Sequence, residues 1–367
     1  MASRTAAPEP TRLDRLSPTV YRLHVEYGIG IDASLGLSLA EQRTLVVEAA
    51  RAGYSSLWTP SGPATRDGFQ VCGQWSAATA AVVDGGMPVG IAVIPVGNWT
   101  VPSLASQAGT LSEITGGRFT LGLGTGGIYG AEYRQTFGLA ATPVIRLMRE
   151  YITALRGLVN GESVTLEGSA VRLKGLQITG RPLPVTLSLA ALGPQMLRLA
   201  GETADAVSLN WTPPSMRPWV REQVAAGASR ANRDPASVRI TEYIRVCIDD
   251  DVAAARRAFV RALMGYALAR PGASKDAAYR GHFARAGYDA ALTRIEDRRD
   301  AGAPESELID LFPEDLLHEV GYYGPAAGAS AALERLSAGL DLAIVRIVGV
   351  RPGIEAARAV LTACQPS

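Results

Sequence analysis

Two glycine-rich stretches of the chain could hold a ligand that carries a phosphate. The first, GRFTLGLGTGG at residues 117–127, is a short apolar run that ends in a cluster of glycines. The second, ALGPQ at residues 191–195, places Gly193 and Pro194 directly before a helical pattern. Glycines let backbone N–H groups approach a ligand closely, and the free N–H groups of a helix N-terminus attract anions. Together the two stretches indicate one elongated, anionic ligand.

The first stretch also matches a dinucleotide-binding motif, but its surroundings do not fit. Gly122, Gly124 and Gly127 have the spacing G-x-G-x-x-G after a predicted strand. A dinucleotide-binding helix should start at the third glycine, whereas the next helical pattern starts only near Thr142. No acidic residue ends a strand about 20 residues further on, where a ribose hydroxyl would require one. The sequence therefore argues against a Rossmann site.

Eight apolar segments alternate with helical patterns and predict the strands that carry these loops. Eight strands in βα alternation favour the α/β fold of a closed (β/α)8 TIM barrel over an open sheet. Both glycine loops would then lie at the carboxyl ends of strands, where barrels of this kind bind ligands. A weak pair of strands at 163–168 and 170–178 predicts a surface hairpin. The eight predicted strands are residues 21–28, 55–59, 87–96, 117–124, 183–190, 204–210, 238–248 and 340–349.

The barrel pattern also sets the expected domain organisation. Residues 1–19 are polar and contain prolines, which predicts a flexible N-terminal arm, and residues 20–367 are expected to form a single barrel domain. The stretch from about 265 to 315 is too long for a plain βα connection. Because it follows the seventh strand, it should lie at the C-terminal face of the barrel. We interpret this insertion as a lid, with a passive decoration as the alternative.

Composition excludes several classes of function. The formal net charge is +1, so the chain lacks the basic excess of a nucleic-acid-binding protein. No apolar run approaches the roughly 20 residues that cross a bilayer, so no membrane span is expected. The three cysteines are far apart and odd in number, which suggests reduced thiols and a cytoplasmic location. The three histidines are widely separated and no C-x-x-C pair occurs, so no metal site is predicted.

Four stretches together resemble the luciferase-like monooxygenase superfamily, in its deazaflavin-dependent branch. The resemblance implies a TIM barrel that holds coenzyme F-420, with FMN as the alternative, at the carboxyl ends of its strands. It also implies a homodimer or a higher homo-oligomer. The stretches are EAARAGYSSLW (48–58), VGIAVIPV (89–96), GGRFTLGLGTGG (116–127) and AALGPQMLRLAGETADAVSLN (190–210).

The resemblance assigns the cofactor to three short segments. The end of the third strand would carry a non-prolyl cis peptide bond behind the deazaflavin ring. The loop after the fourth strand would line the ring edge or the tail, and the loop after the fifth strand would hold the phosphate. The predicted cofactor-binding residues are Ala92, Val93, Gly124, Thr125, Gly126, Gly127, Leu192, Gly193, Pro194 and Gln195.

This chain differs from the family at the positions where the family carries the residues that transfer protons. Deazaflavin alcohol dehydrogenases of this family end strand two in Ser-Asp-His, whereas this chain ends it in Thr59, Pro60 and Ser61. They carry a glutamate where this chain has Gly127. Oxidation of an alcohol requires a base, and both usual bases are missing. A reductase is therefore favoured, which delivers hydride to a polarised C=C or C=N bond of a small molecule or peptide.

Two other functions stay open: an FMN-dependent monooxygenase, and a barrel that binds a flavin-like ligand without turnover. For the reductase, Tyr27 at the predicted end of the first strand is the candidate proton donor. Ser61, in the place of the family's catalytic motif, is a second candidate for the site. Tyr129 after the glycine loop, and Asn210 and Trp211 at the end of the sixth strand, are predicted to contact the substrate.

Overall fold

The computed structural model describes residues 25–178 and 184–366. The predicted flexible arm, residues 1–19, lies outside the described residues. The strands are β1 (Glu26–Gly30), β2 (Ser56–Thr59), β3 (Val89–Pro95), β4 (Phe119–Gly124), β5 (Val164–Glu167), β6 (Arg172–Leu176), β7 (Thr186–Ala190), β8 (Ala206–Asn210), β9 (Arg239–Ile248), β10 (Gly321–Gly324) and β11 (Leu342–Ile347). The α-helices are α1 (Leu39–Arg51), α2 (Gly68–Thr79), α3 (Val101–Ile114), α4 (Ala131–Phe137), α5 (Val144–Val159), α6 (Pro194–Thr203), α7 (Arg217–Arg230), α8 (Val252–Ala267), α9 (Ala278–Phe283), α10 (Asp289–Asp300), α11 (Glu305–Asp310), α12 (Glu314–Val320), α13 (Ala329–Ser337) and α14 (Ile354–Ala363).

Eight parallel strands close into a barrel. Their order is β1, β2, β3, β4, β7, β8, β9 and β11, and β11 pairs again with β1. The predicted (β/α)8 TIM barrel is therefore confirmed. Strands β5 and β6 form the predicted antiparallel hairpin beside the barrel. Because the barrel strands are parallel, all their carboxyl ends meet at one face.

The apolar runs of the sequence form the wall of the barrel and the layer beneath its helices. Ile91, Leu121 and Leu187 on three adjacent strands are fully buried. Parallel strands covered by helices read as such continuous apolar runs. The predicted capping box at the start of α1 is also present. Ser38 accepts a hydrogen bond from the N–H of Glu41, and the carboxylate of Glu41 accepts one from the N–H of Ser38. This capping box starts α1 where the sequence predicts it.

Strand β9 is unusually long and has three partners. It pairs with β11 along one edge, and along the other edge with β8 and then with β10. Strand β10 is not among the predicted strands, because GYYG is too short to show an alternating pattern. This extra strand extends the wall of the barrel beyond the end of β8.

The insertion, about residues 265–315, packs with α8 around a second apolar core. A buried ion pair fixes its first part: the guanidinium of Arg280 lies 2.9 Å from the carboxylate of Glu296, and the two side chains are 3% and 1% exposed. The same carboxylate accepts a hydrogen bond of 2.7 Å from the N–H of Ala269 and lies 3.0 Å from the ammonium of Lys275. The connection between α8 and α9 is thereby tied to α10. That the insertion opens and closes as a lid stays a prediction.

Within residues 25–178 and 184–366, no helix is both long and apolar enough to cross a membrane.

Removing the buried carboxylate of the insertion should destabilise the protein far more than removing an exposed one. We expect Glu296→Ala to lower the free energy of unfolding by about 3–5 kcal/mol, because it leaves the buried Arg280 with only the exposed Asp289, at 2.9 Å, as an ion-pair partner. Glu307→Ala breaks an exposed pair with Arg298 at 2.6 Å and should cost less than about 1 kcal/mol. Urea unfolding followed by circular dichroism measures both. Equal losses would contradict the structural role of the buried pair.

Candidate functional site

A cavity of about 520 Å³ lies at the carboxyl ends of β4, β7 and β8. Its volume is within the usual range of small-molecule sites, roughly 300–1,000 Å³. The loop after β4, the start of α6 and the segment around α9 form its walls. Eight of the predicted site residues line it: Thr125, Gly126, Tyr129, Leu192, Gly193, Pro194, Gln195 and Asn210.

The start of α6 forms one corner of this cavity. Gly193 is the N-cap residue, Pro194 is the first helical residue, and no side chain caps the helix. The N–H groups of Gln195 and Met196 therefore have no acceptor within the helix. A Cβ atom at Gly193 would meet no atom within 4 Å, so this glycine borders open space. The corner has room for an anion close to free N–H groups.

Arg285 adds a positive charge to the same corner. It follows α9, lines the cavity, and its Nη2 donates a hydrogen bond of 3.3 Å to the carbonyl oxygen of Leu192. Within the described residues, no carboxylate forms an ion pair with it. Burial lowers the pKa of Arg285, which still leaves the guanidinium charged near neutral pH. Arg285 is not among the predicted site residues, because an arginine inside a long insertion belongs to no recognisable motif.

Asn210, a predicted substrate contact, connects the cavity to a buried arginine. The Nη1 of Arg245 donates a hydrogen bond of 2.5 Å to its Oδ1, and its Nδ2 donates one of 2.6 Å to the phenol oxygen of Tyr279. Tyr279 lines the cavity, and burial raises its pKa to about 12. Arg245 is 4% exposed, and burial lowers its pKa. Neither Arg245 nor Tyr279 is among the predicted site residues.

Trp211 does not face the cavity, which corrects its prediction as a substrate contact. Its side chain is fully buried, and its ring packs against Phe259 and Tyr266 of α8. The guanidinium of Arg245 lies 3.9 Å above the centre of this ring. The backbone carbonyl of Trp211 accepts a hydrogen bond of 3.0 Å from the ring Nε2 of His282. The face of the Trp211 ring therefore packs against the guanidinium of Arg245.

Two glycines of the β4 stretch do not line the cavity, and close packing explains them. A Cβ atom at Gly124 would lie 2.3 Å from Cγ2 of Val93 on the neighbouring strand. At Gly127 a Cβ atom would lie 2.6 Å from the ring of Tyr133. Gly126, in contrast, borders the cavity and has a φ of +56°. The glycines of this stretch therefore have two roles: Gly124 and Gly127 leave room for a neighbouring side chain, and Gly126 borders the cavity. The sequence alone does not show which glycine has which role.

The third-strand segment has the backbone form that the resemblance implies, although its residues do not line the cavity. The peptide bond between Ala92 and Val93 is cis. The N–H of Ser61 donates a hydrogen bond of 3.3 Å to the carbonyl oxygen of Val93. The hydroxyl of Ser61 accepts a hydrogen bond from the N–H of Gly68, and its side chain is buried. Ser61 therefore holds the end of β3 and the start of α2.

Tyr27 lies away from the cavity, which corrects its predicted position. Strand β1 continues to Gly30, so Tyr27 is near the amino end of the strand. Its hydroxyl is 3.1 Å from the hydroxyl of Ser337, the last residue of α13. Helices end, and the next strands begin, at the face of the barrel opposite the ligand-binding face. The structure therefore does not bring Tyr27 to the site.

The chain is similar to a known protein family and to several reductases. The model of a family described as luciferase-like monooxygenase matches residues 21–341. A 5,10-methylenetetrahydromethanopterin reductase of Methanolobus tindarius is 38% identical over 157 residues, 42% of this chain and 46% of that protein. A reductase of the same name from Archaeoglobus fulgidus is 28% identical over 229 residues, 59% of this chain and 67% of that protein. The first alignment thus spans about half the length of the relative.

Solved structures share the fold. The coenzyme F-420-dependent tetrahydromethanopterin reductase of Methanopyrus kandleri superimposes with a TM-score of 0.71 at 21% identity, over 93% of this chain and 98% of that one. An F-420-dependent secondary alcohol dehydrogenase, in complex with an F-420–acetone adduct, gives 0.67 at 17% identity, over 94% and 100%. At these identities the likeness concerns the architecture of the barrel.

The two kinds of glycine at the site should respond differently to the same substitution. Gly124→Ala should lower the free energy of unfolding by about 1–3 kcal/mol, because its Cβ atom would overlap the side chain of Val93. Gly193→Ala should lower it by less than about 1 kcal/mol, because its backbone suits alanine and the space is open, and only the preference for glycine over alanine at an N-cap opposes the change. Thermal unfolding without ligand distinguishes them. A Gly193→Ala variant destabilised as much as Gly124→Ala would contradict the open corner.

Proposed function

The chain belongs to the luciferase-like monooxygenase family, and we propose that it is an oxidoreductase that uses coenzyme F-420. The observation that carries the proposal is the corner at α6, where free N–H groups, an open glycine and Arg285 meet at the mouth of the barrel. Relatives in sequence and in fold include enzymes named for this cofactor or for a reductase reaction. These names support the proposal.

The residues present fit such a cofactor. The N–H groups of Gln195 and Met196, with Arg285, would hold its phosphate, since they combine a helix dipole with a full positive charge. Thr125 and Gly126 would lie along its length on the opposite wall. When bound, the reduced deazaflavin supplies two electrons as a hydride. The work of the chain is then to orient the acceptor, exclude water and provide a proton.

The reaction we favour is reduction of a polarised C=N bond, with a C=C bond as the second possibility. Within the described residues, no histidine lines the cavity, and its one carboxylate, Asp276, is exposed. The positions of the family's usual bases hold Ser61 and Gly127, and neither lines the cavity. Two relatives are named as reductases of a methylene-tetrahydropterin, whose reduction breaks a carbon–nitrogen bond. This chemistry requires an acid where alcohol oxidation requires a base.

Cofactor binding tests the proposal directly. Titration of the purified protein with coenzyme F-420 should quench the fluorescence of the cofactor, and titration with FMN should not. Arg285→Ala should weaken F-420 binding about ten-fold, or 1.4 kcal/mol, and reduce its salt dependence. Arg294→Ala removes an exposed arginine of the insertion and should change the affinity less than two-fold. Binding of FMN alone would instead support the monooxygenase.

Turnover then separates an enzyme from a binding protein. Reduced F-420 is mixed with an acceptor panel of 5,10-methylenetetrahydromethanopterin, cyclic imines and activated alkenes, and recovery of its fluorescence is followed. Oxidation by a C=N acceptor supports the reductase. Tight binding without oxidation by any acceptor would favour the non-catalytic barrel.

We also propose a homodimer that forms through the outer faces of α2 and α3. Residues 68–83 and 85–112 contain no charged residue, in a chain of which 19% is charged. The two helices flank a groove of about 460 Å³, and Ile114 at its edge is 60% exposed. The exposed Glu113 lies beside Ile114, but no charged residue among those described lines the groove itself, and a low content of charged residues is typical of the core of an interface between subunits.

A single charge should disrupt this interface. Thr110→Arg introduces an uncompensated charge twice in a symmetric dimer, so we expect it to shift the protein to the monomer. Thr44→Arg is the control, because Thr44 is also exposed on a helix and bonds the carbonyl four residues before it, as Thr110 does. Light scattering after size-exclusion chromatography gives the mass. A monomeric wild-type protein would rule out the dimer.

A cytoplasmic location is proposed from the state of the thiols. Cys72, Cys247 and Cys364 are buried and unpaired. Burial raises the pKa of Cys247 to about 12, which keeps this thiol protonated. Reduced thiols persist in reducing compartments, and fractionation of cells that produce the protein would test the location.

A further inference from the structure

The hydrogen bonds around Asn210 determine which way the proton of Tyr279 points. An arginine can only donate, so the Asn210 atom that faces Arg245 must be the carbonyl oxygen Oδ1. The amide nitrogen therefore faces Tyr279 and donates to the phenol oxygen. Because the phenol oxygen accepts this hydrogen bond, its own proton is left for another acceptor. Within the described residues, no such acceptor lies within hydrogen-bond distance.

Tyr279 has the surroundings of a neutral acid at a ligand site. It lines the cavity, and the ring of Tyr266 meets its ring edge-on, with the centres 4.8 Å apart. Burial, with Tyr266 beside it, raises the pKa of Tyr279 to about 12, so the phenol is protonated at physiological pH. The charge of Arg245 lies behind Asn210 and would stabilise a transient phenolate. Glu242 and Asp276 are the acidic groups on the neighbouring elements.

The backbone on both sides of this hydrogen-bonded pair is held in an unusual conformation. Trp211 directly follows Asn210 and has a φ of +57°, and Ala278 directly precedes Tyr279 and has a φ of +50°. Only Asn232 shares this conformation among the described residues other than glycine. The left-handed conformation is unfavourable for a residue with a side chain. The packing of Trp211 under Arg245 offsets this cost and fixes where the pair lies.

We propose that Tyr279 is the proton donor of the reduction, and that Asn210 and Arg245 position its hydroxyl. The inference rests on the proposed function. As the acceptor carbon gains the hydride, the electron pair of the bond that is reduced moves to nitrogen. The O–H bond of Tyr279 breaks while an N–H bond forms. Solvent returns a proton to the phenolate and takes one up from the spent cofactor, so atoms and electrons balance.

Two substitutions test the inference, and a second tyrosine–asparagine pair provides matched controls. Tyr279→Phe removes the proton, and Asn210→Asp replaces a donor by a carboxylate that can only accept. Tyr133 donates a hydrogen bond of 2.7 Å to Oδ1 of Asn98, the opposite direction. Asn98→Asp therefore keeps its hydrogen bond, whereas Asn210→Asp must reverse its own. Tyr133→Phe is the control for loss of a hydroxyl.

The kinetic arm measures oxidation of bound reduced F-420 by the best C=N acceptor of the panel. Tyr279→Phe should bind the cofactor within three-fold of wild type, lower the rate constant about 10²–10³-fold, and change the solvent deuterium isotope effect, because water must then supply the proton. Asn210→Asp should lower the rate constant at least ten-fold, because the new carboxylate accepts the hydrogen bond of the phenol and directs its proton away from the substrate. Tyr133→Phe and Asn98→Asp should stay within three-fold of wild type.

The second arm needs neither cofactor nor turnover. Tyrosine labelled with 13C at Cζ is incorporated, and the signal absent from Tyr279→Phe is assigned to Tyr279. Asn210→Asp should raise the pKa read from this signal, because an adjacent carboxylate opposes the phenolate. Asn98→Asp should leave it unchanged.

The outcomes separate the two proposals. If wild type oxidises reduced F-420 and Tyr279→Phe matches its rate constant, the role of Tyr279 is overturned and the reductase stands. A Tyr279→Phe variant that has lost more than ten-fold in cofactor affinity would make Tyr279 a cofactor contact, which also overturns the inference. If wild type binds the cofactor but reduces no acceptor, the reductase itself fails and the proton donor fails with it.

Discussion

Closure of the barrel depends on β9, which hydrogen-bonds to β8 on one edge and to β11 on the other. This pairing joins the last strand to the middle of the chain, and β11 in turn pairs with β1. Once all eight strands are parallel and closed, their carboxyl ends must share one face. Residues distant in sequence then meet there: Asn210 at the end of β8, Arg245 in β9, and Tyr279 from the insertion. The site is therefore a consequence of barrel closure.

Strand β9 also carries Arg245, a buried positive charge beside the site. Arg245 is 4% exposed, and within the described residues no carboxylate forms an ion pair with it. Burial of an unpaired charge is costly, and the structure offsets this cost with the Oδ1 of Asn210 and the faces of Trp211 and Tyr266. These contacts also explain why the ring of Trp211 lies inside. A residue at the end of a barrel strand can serve the site by supporting a neighbour.

Much of the fold could be predicted from the sequence, because each prediction rested on a local pattern. The eight barrel strands, the hairpin and the capping box at Ser38 depend on residues close together in the chain. Strand β10 and the short helix α4 were missed, since a few residues show no period. Arg285 and Tyr279 were missed for another reason: their roles depend on where the insertion folds back. No local pattern indicates such a return.

The position of Tyr27 shows how a boundary error becomes an error about function. The apolar run was predicted to end at Gly28, and a strand that ended there would bring Tyr27 near the ligand-binding face. The strand continues to Gly30, and each additional residue moves Tyr27 about 3.3 Å from that face. A reductase needs a neutral acid wherever this strand ends. That requirement, applied to the folded chain, points to Tyr279, which lines the cavity and accepts a hydrogen bond from Asn210, so that its own proton stays available.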